Sequence, residues 1–283
     1  MSLTRRTFAA ALSAAPLLPA KTLTSIGVQL YTVRTILPNN PLEVLKAIEA
    51  MGYKEVEAVG RDLPKIGDAL KQTSLKPVST HLDTPLFLKD TEKLPAAIDD
   101  AAQRGFKYVV CPYIAPADRG GVDVIKKLAA NLNKAGEVAK KAGLTLAYHN
   151  HAFEFAPAGA GHDGTLLDVL LKESDPKLVT LELDMFWVKV AGNDPIALLK
   201  KYKNRVPLMH VKNLKPGTET RLSEGVPKDW FMEVGKGVID VPSVLKAATA
   251  NGVKHFFVEQ DQTPGNPLDS IKESAAYLKT LKF

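Results

Sequence analysis

Glu154, Asp184, His210 and Glu259 can each bind a divalent metal, and each stands at or just past the end of a short apolar run in the second half of the chain. The runs read Leu-Thr-Leu-Ala-Tyr-His (144–149), Val-Thr-Leu-Glu-Leu-Asp (179–184), Val-Pro-Leu-Met-His-Val-Lys (206–212) and His-Phe-Phe-Val-Glu (255–259). Three carboxylates and one imidazole make a mainly oxygen donor set, which suits Mn²⁺, Mg²⁺ or Co²⁺, with Zn²⁺ also compatible. An ion held this way polarises a carbonyl and stabilises the enediolate formed when the neighbouring C–H loses its proton. Glutamates on either side of a substrate can remove and return that proton. Any one of these acids alone reads as a helix cap or a salt-bridge partner. Their placement at the ends of four successive runs favours a shared site.

Strand side chains alternate between two faces, and this parity selects further candidates. Thr180, Glu182 and Asp184 share a face, and Leu181, Leu183 and Met185 share the other. His210 and Lys212 share a face of the next run, and Glu259 pairs with Phe257. Lys212 is expected to stabilise a developing oxyanion, or His151 to shuttle protons between oxygens. The stretch His149-Asn150-His151-Ala152-Phe153-Glu154 offers several donors. Glu154 is taken as the ligand, provided that the backbone turns or bulges to bring it over the site. His151 is then beside the substrate, and His149 is a supporting side chain or an alternative ligand. Gln29, Tyr31, Glu57 and His81, in or at the ends of the first three runs, are candidates for hydrogen bonds to substrate hydroxyls. Trp187 can stack on a sugar ring or cover the mouth.

These side chains need a scaffold that brings distant run ends together. Short β-branched runs alternate with amphipathic stretches from residue 24 onward, the pattern of repeated βα units. Strands are expected over Ser25–Tyr31, Glu55–Val59, Pro77–His81, Tyr108–Cys111, Leu144–His149, Val179–Asp184, Pro207–Lys212 and His255–Glu259. Helices are expected over Leu42–Met51, Asp62–Gln72, Glu92–Arg104, Val122–Ala142, Leu166–Leu171, Pro195–Lys203, Val241–Asn251 and Pro267–Leu281. Gly52, Gly105, Gly143 and Gly252 fall between a helix and the next strand, where a left-handed cap has no Cβ to accommodate. The first strand ends in Gln-Leu-Tyr-Thr-Val-Arg, without the glycine-rich phosphate turn of a doubly wound sheet. Eight units without that turn indicate an α/β fold, a single (β/α)8 TIM barrel whose active site lies at the C-terminal strand ends. The long stretch 213–239, rich in glycine and charge, is expected to act as a lid.

The order Glu154, Asp184, His210, Glu259, with Leu-Asp-Met-Phe-Trp, Met-His-Val-Lys-Asn and Phe-Val-Glu-Gln-Asp around the last three, resembles the sugar phosphate isomerase/epimerase superfamily. These are xylose isomerase-like barrels, and the likeness runs from about residue 24 to the C-terminus. It implies one divalent metal on the four positions, often manganese, with the two glutamates flanking the substrate. His149 departs from the pattern, because it stands where many members carry the ligand glutamate and the acid follows five residues later. The function implied is a metal-dependent sugar isomerase or epimerase acting through an enediolate on a keto-sugar or related polyol. Since the same enolate can expel a β-leaving group, the alternative is a lyase, dehydratase or deglycosidase acting on 3-keto-glycosides or inososes. A periplasmic sugar-binding protein is the non-enzymatic alternative.

Composition and termini set the remaining bounds. The chain has 283 residues, is 45% hydrophobic and 24% charged, and carries a formal charge of +6, as an ordinary globule does. No basic run interleaved with aromatics is present, so nucleic acid is not an expected partner. The expected partner is a small sugar or polyol, with a homo-oligomer left open. No glycine-rich phosphate cradle is visible, which favours unphosphorylated sugars. Thr4-Arg5-Arg6-Thr7-Phe8 precedes a weakly apolar stretch too short to span a membrane. Residues 1–20 resemble a twin-arginine export signal and imply a periplasmic or otherwise exported protein, with 21–283 as the barrel. The single Cys111 forms no internal disulfide and reads as a small buried hydrophobe.

Overall fold

Eight strands of the chain alternate an apolar outward face with a mixed inward one, and this two-sidedness is what a closed parallel barrel requires. They are β1 (Gly27–Gln29), β2 (Glu55–Val59), β3 (Lys76–His81), β4 (Tyr108–Cys111), β5 (Thr145–His149), β6 (Val179–Asp184) and β7 (Leu208–Val211). The eighth follows a two-stranded ribbon of β8 (Asn213–Leu214) and β9 (Phe231–Met232), and is β10 (His255–Val258). The computed structural model describes Leu23 and residues 25–282. The export signal expected over residues 1–20 lies outside them. Each barrel strand pairs in parallel with its neighbour, and β1 pairs with both β2 and β10 to close the ring.

Helices α1 (Pro41–Ala50), α2 (Leu63–Leu70), α3 (Pro85–Leu88), α4 (Leu94–Gln103), α5 (Val122–Lys141), α6 (Leu166–Glu173), α7 (Met185–Val190), α8 (Pro195–Lys201), α9 (Val241–Ala250) and α10 (Pro267–Thr280) connect the strands. None is long and apolar enough to cross a membrane. The four glycines expected as caps all adopt positive φ, between 78° and 94°. α3 and α7 were not among the expected helices: Pro85–Leu88 is one turn, and Met185–Val190 continues an apolar run without a polar face. The first strand is shorter than expected, because Leu30–Val33 winds into a 3-10 turn capped by the Gln29 side chain.

Two apolar regions result. Outward residues such as Val56, Tyr148, Leu181, Met209 and Val258 pack with the helices in one continuous core, which also buries Cys111. Inside the barrel, Val78, Tyr108, Val110, Ala147, Leu208 and Phe257 form a separate plug. Above the plug the inward positions become polar: Gln29, Glu57, Ser79, His149, Glu182, Asp184, His210, Lys212 and Glu259 are all buried. The segment 213–239 folds into the ribbon β8–β9 and a loop between its strands that forms one wall of the mouth.

Gly27 shows how tightly the ring is filled, because a β-carbon there would collide with the Phe257 ring across the β1–β10 pair. Gly27→Ala is therefore expected to destabilise the chain by about 1–3 kcal/mol through overpacking, measured by urea unfolding. Adding Phe257→Leu should recover part of the loss. An unchanged midpoint for Gly27→Ala would contradict this packing.

Candidate metal site and the cavity above it

Asp184 is the last residue of β6 and the N-cap of α7, so one carboxylate oxygen is already committed. Its Oδ1 accepts hydrogen bonds from the backbone N–H of Phe186 (2.8 Å) and Trp187 (3.1 Å). Oδ2 is left pointing into the barrel, 3.3 Å from His149 Nε2 and 3.6 Å from His210 Nδ1. His149 Nε2 and His210 Nδ1 are 3.1 Å apart, and His210 Nδ1 lies 2.8 Å from Glu259 Oε2. The four donor atoms fall within 4.8 Å of one another. Four ligands around a tetrahedral ion with bonds of about 2.0–2.2 Å lie roughly 3.3–3.6 Å apart, close to these separations.

Hydrogen-bond chemistry decides where the lone pairs point. His149 Nδ1 faces the carbonyl oxygen of Pro112 at 3.1 Å, and a carbonyl only accepts, so Nδ1 carries the proton and Nε2 offers its lone pair. His210 Nε2 donates to Glu57 Oε1 at 2.5 Å, so in the neutral ring Nδ1 offers the lone pair. Two imidazole nitrogens and two carboxylate oxygens thus converge, each imidazole fixed from behind by an oxygen acceptor, the arrangement that orients metal-bound histidines. This donor set fits a divalent ion. A second group, Glu57, His81, Glu182 and His210, lies beneath it. There the histidines donate N–H to carboxylates: His81 Nε2 is 3.0 Å from Glu57 and 2.8 Å from Glu182. That lower group is a buttress of hydrogen bonds, braced further by Gln29 Nε2 (2.7 Å) and Ser79 Oγ on Glu57.

Without a dication, charge is balanced by protons. Burial opposes the charge on His210, but the carboxylates of Glu182, Glu259 and Glu57 outweigh it and hold the imidazolium well above the usual range. His81 is likewise raised to about 9 by Glu57 and Glu182 against the effect of burial. Burial and the neighbouring His210 push His149 down to about 4, so it stays neutral. Lys212 Nζ reaches Glu259 (2.5 Å), Asp184 (2.9 Å) and Asp261 (3.0 Å), and despite burial those carboxylates keep it charged.

The structure brings some of the expected residues together and leaves others apart. Asp184, His210 and Glu259 come together as expected, but Glu154 is not in their group. After His149 the chain leaves the strand, Asn150 Oδ1 accepts from Asp184 N–H, and a 3-10 turn at Phe153–Phe155 carries Glu154 toward the outward face. There its carboxylate accepts from Tyr148 Oη (2.6 Å) and His151 N (2.9 Å), and burial raises its pKa to about 8. His149, two positions after the inward Ala147, supplies the fourth donor. Gln29 and Glu57 are buried and absent from the cavity lining, with Gln29 Nε2 donating to Glu57 and His210 Nε2 donating to the same carboxylate. Lys212 is absent from the cavity lining and is held by the carboxylates of Asp184, Glu259 and Asp261. Tyr31, His81, His149, His151, Trp187 and Glu259 do line the cavity, which measures about 600 Å³. His151 Nδ1 and Trp187 Nε1 are buried there without a partner. Asp261, Tyr113 and Glu224 also line it and were not anticipated. Asp261 shares the parity of Glu259 and was legible by that rule, while the other two stand on loops that carry no periodic signal.

A family model described as xylose isomerase-like TIM barrel matches residues 45–281. The chain belongs to that family. Within it, the chain is 26% identical over 260 residues to an inosose dehydratase of Clostridium beijerinckii, covering 81% of this chain and 85% of the relative. In other inosose dehydratases, such as that of Clostridium botulinum, the matched segment covers 53% of the relative. A sugar phosphate isomerase/epimerase from Parabacteroides distasonis superposes with a TM-score of 0.75 at 23% identity, covering 91% of this chain and 98% of that one. The IOLI protein, solved with a bound zinc atom, superposes with a TM-score of 0.71 at 16% identity, over 92% of this chain and 99% of that one.

Because a dication replaces the proton held on His210 Nδ1, Zn²⁺ binding near pH 7 should release about one proton and weaken as pH falls, read by calorimetry in buffers of different ionisation enthalpy. His149→Ala should lower Zn²⁺ affinity by more than about 100-fold, beyond the loss typical of an outer-shell partner. Glu154→Gln should leave bound metal near one per chain. Loss of metal in Glu154→Gln with retention in His149→Ala would restore Glu154 as the ligand.

Proposed function

We propose that this chain is a divalent-metal-dependent enzyme that interconverts keto-sugars or related polyols by proton transfer through an enediolate, as an isomerase or epimerase. The carrying observation is the convergence of His149 Nε2, Asp184 Oδ2, His210 Nδ1 and Glu259 Oε2, with His149 and Glu259 lining a cavity of about 600 Å³. When bound there, a dication would polarise a substrate carbonyl and acidify the adjacent C–H. Two nitrogens and two oxygens favour Zn²⁺ or Co²⁺, a shift from the Mn²⁺ expected for an oxygen-rich set. The carboxylates of Asp184 and Glu259 match the charge of such an ion, and Lys212 offsets Asp261.

The chain's own groups handle the proton. Glu259 lines the cavity as a carboxylate held below its usual range, since Lys212 and His210 overcome the effect of burial. His151 is kept neutral by burial and the nearby His149, and its uncommitted Nδ1 suits it to pass a proton between substrate oxygens. Trp187 Nε1 supplies a donor for a hydroxyl, and its indole offers an apolar face to the ring. Asp184 and His210 complete the donor set from behind the cavity wall.

A second reading is elimination, favoured by the likeness to inosose dehydratases over most of the chain. Removal of the same acidic proton followed by loss of a β-hydroxyl or β-linked sugar needs no additional group. Incubation of keto-sugars, inososes and 3-keto-glycosides with Zn²⁺-loaded protein in D₂O, followed by NMR, separates the outcomes. Isomerisation or epimerisation conserves mass and places deuterium next to the carbonyl, whereas elimination gives an unsaturated ketone and a released group. His151→Asn should lower kcat by about 10²–10⁴-fold, and Glu259→Gln should abolish turnover. Wild-type turnover by Glu259→Gln would refute the proton-transfer role.

A further inference from the structure

We propose that Glu224 and Tyr113 form an outer subsite for a second, uncharged sugar ring, so that the substrate is a disaccharide or glycoside with its reacting unit over His149 and Glu259. The proposal rests on the functional reading above and specifies its substrate class. The side chains are layered from the floor outward. The His149 ring is 4.8 Å from that of His151, which is 4.8 Å from that of Tyr113. The Arg119 guanidinium lies 5.2 Å from the Tyr113 ring and pairs with Glu224 at 2.8 Å. His149 and His151 serve the reacting ring at the floor, and a volume of about 600 Å³, several times that of one pyranose, leaves the level of Tyr113 and Glu224 for a second.

Glu224 is held for this task. Arg119 is fixed by donation from Nε to the Ile114 carbonyl (2.9 Å) and by stacking 3.7 Å over Phe153. It binds only Glu224 Oε2, while Oε1 is shielded from solvent and has no hydrogen-bond partner. A buried acceptor of this kind calls for a donor, and a sugar hydroxyl reaching it as the loop adjusts supplies one. Tyr113 offers a flat apolar surface to the C–H face of the same ring. The charge of the wall argues for a neutral unit: Glu224, Asp83 and Asp261 face the cavity beside Arg61 and Lys228, and Arg61 already sits 3.9 Å from Asp83. A phosphate would meet acids there without a built cradle of donors.

The test uses the full chain and calorimetric or ligand-observed NMR titration with glucose, glucose 6-phosphate, cellobiose, maltose and trehalose, with Zn²⁺ affinity measured on the same samples. At least one disaccharide should bind the wild type about tenfold more tightly than glucose, and glucose 6-phosphate no more tightly than glucose. Glu224→Ala and Tyr113→Ala should each remove most of that preference, with glucose affinity changed less than about twofold and Zn²⁺ affinity unaltered. Arg119→Met, which frees Glu224, should weaken disaccharide binding in the same selective way. Equal loss of glucose and disaccharide affinity in Glu224→Ala would mean a loop latch alone and overturn the subsite. It is equally overturned if the wild type shows no disaccharide preference or binds none of these sugars. Preference without Zn²⁺ binding would refute the metal reading while leaving the subsite intact.

Discussion

Like charges crowded at one end of a closed barrel repel, and the architecture of this site is organised around that repulsion. Glu57, Glu182, Asp184 and Glu259 are all buried inside the ring, where no bulk water screens them. They coexist because His81, His210 and Lys212 are interleaved between them, and removing one member of such a buried network leaves a partner uncompensated. Burial, reinforced by the repulsion from Glu57 that remains, raises Glu182 to about 7. Asp261 is raised to about 6 by burial, with Glu259 and Asp184 adding to it against Lys212. A divalent ion relieves the same strain more directly, since it meets two carboxylates and two imidazoles at once.

His210 links the two levels of this network. Its Nε2 belongs to the hydrogen-bonded tier of Glu57, His81 and Glu182, and its Nδ1 belongs to the tier of His149, Asp184 and Glu259. The lower tier therefore sets the tautomer with which the ring meets an ion, and Gln29 and Ser79 act at one remove by holding Glu57. Side chains on the first three strands, far from the candidate ligands in sequence and outside the cavity wall, thereby fix the lone pair that His210 would present to an ion. The apolar plug beneath, anchored by Phe257 against the bare Gly27, keeps these tiers at the open end.

Strand parity carried most of what could be read without coordinates. Alternation placed Asp184, His210 and Glu259 on inward faces, and glycine-capped helices phased the eight units that close the ring. It failed where the chain stops being a strand. His149 obeys the parity of β5, but the choice between it and Glu154 depends on a 3-10 turn whose stability comes from Tyr148 and the His151 amide. The indications that β5 was the ambiguous strand were present in the motif, since two histidines precede the acid. The Arg119–Glu224 pair joins residues 105 positions apart on two irregular loops, so no local pattern announces it. Lys212 was correctly assigned an inward direction, but direction alone does not tell whether a side chain meets substrate or other side chains.

One placement is central: an ion gripped by His149 from the fifth strand together with Asp184, His210 and Glu259. Anomalous X-ray scattering at the zinc edge from crystals of the Zn²⁺-loaded protein reads that placement directly. A single strong peak is expected about 2.0–2.2 Å from the donor atoms of these four side chains. A peak coordinated by Glu154 in place of His149, or no peak in this part of the barrel, would contradict it.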